Sequence, residues 1–324
     1  MPGATGRPRP PGSEPREPWR QPGWRTAVSA WIEALLAGLG RRRAGPLEPV
    51  RGSGLSAVLR VPTAAGDLYF KQPLRLPSLG DETSLTGALA ALFPGRVPAV
   101  VGCERRRGCL LLEDFGRPVG AVAPPEVWRD VFAALARLQV DAAPHVDELA
   151  AAGCRRLELD RWAPRIAPAL EEAAASLPAL SADERERLRR TAPRMEDVAG
   201  ELGRSGLLPT LVHGDLHLAN VARSGGGYLA FDWADACVSH PLLDVAYVFA
   251  EAGEHGRPAR DAYLAGWSGH ATMERLERLW ALAEPASALH QAMTYLETAR
   301  HLSGPLRQRF LGGAAYFVRR LLAA

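Results

Sequence analysis

Lysine is almost absent from this chain: of 39 lysine and arginine residues, Lys71 alone is lysine. Nearly every cation is therefore a guanidinium, a planar fork rather than a compact ammonium with three donors. That difference is slight on a wet surface and large in a tight anion pocket. Cysteine is also scarce. Cys103, Cys109, Cys154 and Cys237 form no Cys-x-x-Cys pair, which argues against a disulfide framework and for reduced thiols. No apolar run approaches the roughly 18–20 residues needed to cross a bilayer, and the N-terminus lacks the apolar core of a signal peptide. The expectation is a cytoplasmic protein with no membrane partner. A net charge of +3 over 324 residues demands no nucleic acid either. No internal repeat is apparent.

What remains is an ordinary globular composition, 47% apolar and 23% charged. Residues 1–24 are rich in Pro, Gly and Arg and read as a disordered tail. Val28, Trp31, Ile32, Leu35, Leu36 and Leu39 then recur at helical spacing. Strands are expected over Pro49 to Val61, Leu68 to Lys71, Val97 to Val101 and Cys109 to Glu113, with one helix beginning near Asp81. After Phe115-Gly116 the pattern turns helical: Pro124–Val140, Leu157–Leu177, Ala182–Leu202, Pro241–Ala252, Arg260–Trp267, Thr272–Leu282, Ala286–His301 and Leu306–Leu322. One β segment interrupts it. Leu208–Val212 leads into a polar loop, and Asn220–Ala222 and Tyr228–Phe231 flank the turn Ser224-Gly225-Gly226-Gly227. The reading is an α+β chain of two lobes: residues 25–114 form a β-rich small lobe with the N-terminal helix, and residues 115–324 a larger helical lobe. A cleft between lobes is a common ligand site.

Reactive side chains are densest in His213-Gly214-Asp215-Leu216-His217-Leu218-Ala219-Asn220, followed by Phe231-Asp232-Trp233. Asp215 sits in a loop after an apolar strand. The hairpin can fold Asp232 back beside Asn220. An amide and a carboxylate oxygen are hard ligands that suit Mg²⁺, and a separate carboxylate can orient a hydroxyl and take its proton. These are the parts of phosphoryl transfer. His213 and His217, four apart, raise zinc as an alternative, but zinc pairs at that spacing usually ride on a helix and Gly214 argues for a loop.

The segment His213-Gly214-Asp215-x-His217-x-x-Asn220, with Phe231-Asp232-Trp233 behind it, resembles the signature of the aminoglycoside phosphotransferase-like kinases. The resemblance covers roughly residues 45 to 300. It implies a bilobal protein-kinase-like fold and transfer of the γ-phosphate of ATP or GTP, with Mg²⁺, to a hydroxyl of a small molecule. It further implies Asp215 as the catalytic carboxylate and Asn220 and Asp232 as metal ligands. Lys71 would contact the phosphates, Glu82 would pair with Lys71, and Gly52-Ser53-Gly54 would cradle phosphate. The backbone from Glu113 to Phe115 would read the adenine edge. His213 and Asp244 would brace the catalytic loop.

Phe231-Asp232-Trp233 runs within nine residues to His240-Pro241, leaving no room for a peptide-docking activation segment, so a small acceptor is expected. Asp232, Asp235, Glu251 and Glu254 suit a cationic acceptor such as an aminoglycoside. Sugars, choline-like alcohols, homoserine and macrolides stay open, as does ATP against GTP. Two other classes compete: a nucleotide-binding pseudokinase scaffold, which would need none of Lys71, Asp215, Asn220 and Asp232, and a metal-dependent hydrolase on His213, His217 and Asp232, which leaves Lys71 unexplained.

Overall fold

Alternation along one strand decides which way the lone lysine faces. The structure is a computed structural model describing residues 17–50, 54–120, 122–245, 253 and 256–324. Its first sheet has five strands in the order β1-β2-β3-β5-β4: Glu48–Val50, Ser56–Thr63, Gly66–Pro73, Cys109–Glu113 and Val100–Glu104, every pairing antiparallel. In β3, Leu68, Phe70 and Gln72 are buried, while Tyr69 and Lys71 take the opposite face. Helix α1, Trp24–Gly38, covers the apolar face with Val28, Ile32 and Leu36. Trp24 and Trp31 meet the Phe70 ring edge-on at 6.1 and 6.0 Å. Lys71 is left facing the cleft, between Val58 and Leu110 of the neighbouring strands.

Helix α2, Glu82–Leu92, is capped by Asp81, whose carboxylate accepts from the Ser84 N–H at 3.3 Å. The Gly80 N–H donates to the Ala234 carbonyl at 2.9 Å and the Asp81 N–H to Gly153 at 3.3 Å. Both bonds dock the start of α2 on the large lobe, and Leu85 and Leu89 join that lobe's core.

The large lobe contains α3 (Pro125–Ala142), α4 (Val146–Ala151), α5 (Leu159–Ser176), α6 (Ala182–Gly203) and the helices Gly256–Trp267, Met273–Ala299 and Gly304–Ala323. A Ser181/Glu184 capping box starts α6. Between the helices lie a three-stranded sheet ordered β6-β10-β7 (Arg155–Arg156, Cys237–Ser239, Thr210–Val212) and the hairpin β8-β9 (Val221–Ser224, Gly227–Ala230). A further apolar cluster spans both lobes: Leu74, Leu76 and Leu302, with Trp19, Leu55, Leu79, Leu306 and Phe310 packed against it. All four cysteines are free. Among the described residues no helix is long and apolar enough to cross a membrane.

Several elements differ from the sequence reading. Thr272–Leu282 and Ala286–His301 are one helix, Met273–Ala299, with Pro285 inside it. Pro285 and the residues after it are buried, and that packing outweighs the lost hydrogen bond. The fourth strand runs Val100–Glu104 instead of Val97 to Val101, and Lys71 lies two residues before the end of its strand. Of the expected tail, residues 1–16 lie outside the described residues. Pro18–Arg20 form a 3-10 turn whose Trp19 packs beside Leu74 and Leu302, so order begins before residue 25. In place of a helix, Pro241–Val245 is a 3-10 turn, and the rest of that expected helix is outside the described residues.

Candidate active site

Five of the expected side chains converge. Lys71 Nζ lies 2.5 Å from Glu82 Oε1 and 2.7 Å from Asp232 Oδ1. Two of its three donors are thus engaged, and the third has no protein partner among the described residues. Burial disfavours the Lys71 ammonium, but the Asp232 and Glu82 carboxylates outweigh it and hold the group well above its ordinary range. For Asp232 burial is the largest single influence and pulls upward, but Lys71 together with His213 and His217 pulls it down below its ordinary range, which keeps the carboxylate ionised at neutral pH.

Asp232 alone among the described non-glycine residues has a positive φ, 71°. Aspartate tolerates the left-handed region better than most residues, and such strain concentrates at functional sites. The bend comes where the hairpin ends: the Phe231 N–H donates to the Asn220 carbonyl at 3.0 Å, which brings Asp232 back toward Asn220. The Asn220 amide in turn donates from Nδ2 to the Asp215 carbonyl at 3.0 Å.

His213 ties the loop to the hairpin. Nε2 is 3.0 Å from the Phe231 carbonyl, and the Asp215 N–H reaches Nδ1 at 3.3 Å. A carbonyl only accepts and a backbone N–H only donates, so the ring is the neutral Nε2–H tautomer. Burial pushes His213 down to about 4, in keeping with that state. With both nitrogens used, His213 is no zinc ligand. Among the described residues no group of three or more His, Cys, Asp or Glu side chains is arranged to hold a metal. Asn220 and Asp232 still suit Mg²⁺, which commonly takes one or two protein oxygens and completes its shell with phosphate and water.

Asp244 braces the loop from below. Its carboxylate accepts from the His213 N–H at 2.7 Å, the Gly214 N–H at 2.9 Å and Gln139 Nε2 at 3.1 Å. Tyr263 Oη donates to Gln139 Oε1 at 2.7 Å, which orients that amide. Burial pushes the Asp244 carboxyl up to about 7, against the pull of those N–H donors. Gly214 has φ 83°, and a Cβ there would lie 2.4 Å from the Asp235 carbonyl oxygen. Gly214→Ala is therefore expected to destabilise the fold by about 1–3 kcal/mol, read as a lower urea midpoint.

Two cavities meet at this cluster and share Ser56, Lys71, Glu82 and Asp232. One, about 390 Å³, is walled by Val58, Leu110, Leu112 and Phe231. The other, about 470 Å³, holds Asp215, His217, Asp235, Gln291, Tyr295 and Phe310. Phe115 lines the first cavity and its ring lies 4.9 Å from that of Phe231. Glu113 does not line it: its side chain pairs with Arg41 at 2.7 Å and its N–H donates to Ala99, because this strand position faces away from the cleft. Of the glycine loop, Gly52 and Ser53 are outside the described residues, as are Glu251 and Glu254. Gly54 is placed against Leu306 and does not line either cavity. Burial, then the Asp215 and Asp232 carboxylates, push Asp235 up to about 8. Gln139, Tyr263, Gln291, Tyr295 and Phe310 escaped sequence reasoning, since each sits on a helix with no local motif.

The profile of the family described as "Phosphotransferase enzyme family" matches residues 47–279. The chain belongs to this family. Its family is one of phosphotransferase enzymes. Solved structures similar in fold include the GDP complex of aminoglycoside 2'-phosphotransferase-IIIa, with a TM-score of 0.64 at 18% identity, covering 91% of this chain and 98% of that one. Macrolide 2'-phosphotransferase type I gives 0.62 at 18% identity, covering 89% and 96%. Glucosamine kinase of Streptacidiphilus jiangxiensis is 40% identical over 73 residues, 22% of this chain. The chain thus spans only 16% of that curated relative's length. The bilobal kinase-like fold expected from the sequence is the fold observed.

Proposed function

We propose that this phosphotransferase moves the γ-phosphate of ATP or GTP to a hydroxyl of a small acceptor that carries an amine, an aminoglycoside or an amino sugar. The observation that carries the reading is the meeting of two cavities at Lys71 and Asp232, with Asp215 on one side only. The apolar cavity suits a nucleobase, between Leu110, Leu112 and Phe231. Phe115 and the neighbouring backbone would border it. The second cavity suits the acceptor, whose hydroxyl Asp215 would orient and whose proton it would accept. Lys71 would hold the phosphates with its remaining donor, kept in place by Glu82. Asn220 and Asp232 would hold Mg²⁺, which neutralises phosphate charge when bound. Asp215 and Asp232 bring carboxylates to the acceptor wall, and that favours a cationic amine; Asp235, pushed up to about 8, is largely neutral there. We take residues 25–114 as the nucleotide lobe and 115–324 as the acceptor lobe, in a cytoplasmic enzyme.

A nucleotide-consumption screen against aminoglycosides, macrolides, sugars and amino alcohols tests the reading. Turnover with an amine-bearing acceptor is expected. Tight nucleotide binding without turnover on any acceptor would overturn it in favour of a scaffold. Lys71→Arg keeps the charge and has donors to spare, but its broad planar fork places them elsewhere than the single point from which Nζ reaches both carboxylates at 2.5 and 2.7 Å and still faces the cleft. Its kcat/KM is expected to fall about a hundredfold in steady-state kinetics.

A further inference from the structure

The helix Met273–Ala299 presents Gln291, Thr294 and Tyr295 to the acceptor cavity, positions three and four apart that share one helical face. Gln291 is 1% exposed, and its Nε2 donates to the carbonyl of Gly214, the residue before Asp215. That carbonyl can only accept, so the amide cannot be flipped, and Oε1 is the atom left over. Oε1 is buried and has no hydrogen-bond partner among the described residues. A buried acceptor left unpaired is costly, and native structures rarely keep one without a partner to come. The cavity also holds donors, Thr294 and Arg309 among them, beside the Asp215 and Asp235 carboxyls, but none of them reaches Oε1, so this one atom asks the ligand for a hydrogen.

We propose that Gln291 is a positioning residue that reads the acceptor. Its Oε1 takes a hydrogen from a hydroxyl or amine next to the hydroxyl being phosphorylated. Its Nε2 passes that contact to the Gly214-Asp215 peptide, so a correctly seated acceptor steadies the Asp215 loop. The inference rests on the phosphotransferase reading of this site. Internal water is the competing partner for Oε1, and it would tie Gln291 to stability alone.

The test takes an acceptor that the wild-type protein phosphorylates, with glucosamine as the first probe and an aminoglycoside as the second. KM for the acceptor, KM for the nucleotide and kcat are compared in wild type, Gln291→Met and Gln291→Glu. Met keeps the length and loses both polar atoms. It is expected to raise the acceptor KM about tenfold, the size of one good hydrogen bond, and to lower kcat, with the nucleotide KM within twofold. Glu keeps an accepting oxygen but no donor for Gly214. It is expected to recover much of the acceptor KM while kcat stays low. Equal losses for acceptor and nucleotide with a lower unfolding midpoint, or no change in either KM, would overturn the inference and leave the phosphotransferase reading standing. A wild-type protein that binds nucleotide yet turns over neither these probes nor any other acceptor overturns both.

Discussion

Asp215→Asn is expected to cut phosphoryl transfer by about a thousandfold while nucleotide affinity changes less than twofold. The substitution is nearly isosteric and removes the proton-accepting carboxylate together with its charge, and general-base catalysis is worth roughly 10²- to 10⁴-fold. The loop should hold its shape, because what organises it is backbone: the Asn220 amide donates to the Asp215 carbonyl at 3.0 Å, and the Asp215 N–H reaches His213 at 3.3 Å. Asp215 lines the acceptor cavity and not the apolar one, so nucleotide binding is spared. Single-turnover transfer together with titration calorimetry separates the two effects. Turnover within tenfold of wild type would remove Asp215 from the base role.

Asp244→Ala is expected to act on stability and on rate together. The carboxylate is 2% exposed and takes hydrogens from His213, Gly214 and Gln139. Truncation strands three buried donors, each costing about 1–3 kcal/mol when water cannot reach it. A loss of about 3–5 kcal/mol in urea unfolding is expected, because the loop can relax in part. Transfer should fall as the Gly214-Asp215 peptide shifts. Asp244→Asn retains one accepting oxygen and should recover part of the stability. A loss below about 1 kcal/mol for Ala would mean that the brace is redundant.

The parts of this site visible in the sequence are those whose geometry is local. His213 to Asn220 is one loop, and a four-residue turn returns the chain to Asp232, so spacing alone predicts the cluster. Lys71 and Glu82 were legible for a related reason, being a strand face and the first turn of the next helix. The Glu113 side chain turns to Arg41 because a strand alternates its faces, which leaves the expectation for the backbone from Glu113 to Phe115 where it stood. The wall of the cavity proposed for the acceptor was illegible. Gln291, Tyr295 and Phe310 reach the cavity only because the last two helices pack on each other, through contacts such as Tyr295 with Phe310 at 5.3 Å between ring centres. Pro285 hid the first of those helices by reading as a break, and nothing local announces that burial will override it.

Lys71 and Glu82 are joined by a short segment, and that segment is held by residues from much later in the chain. Leu74 and Leu76 bury themselves against Leu302, with Leu306 and Phe310 alongside. The order of synthesis follows from this. A nascent chain can pair the small-lobe strands early and set Leu74 and Leu76 beside Trp19, Leu55 and Leu79, yet the stretch that carries Lys71 toward Glu82 lacks the rest of its apolar support until residues 302–310 have been made. The Lys71–Glu82 ion pair therefore gains its full setting late, although both of its residues are among the first third to be translated.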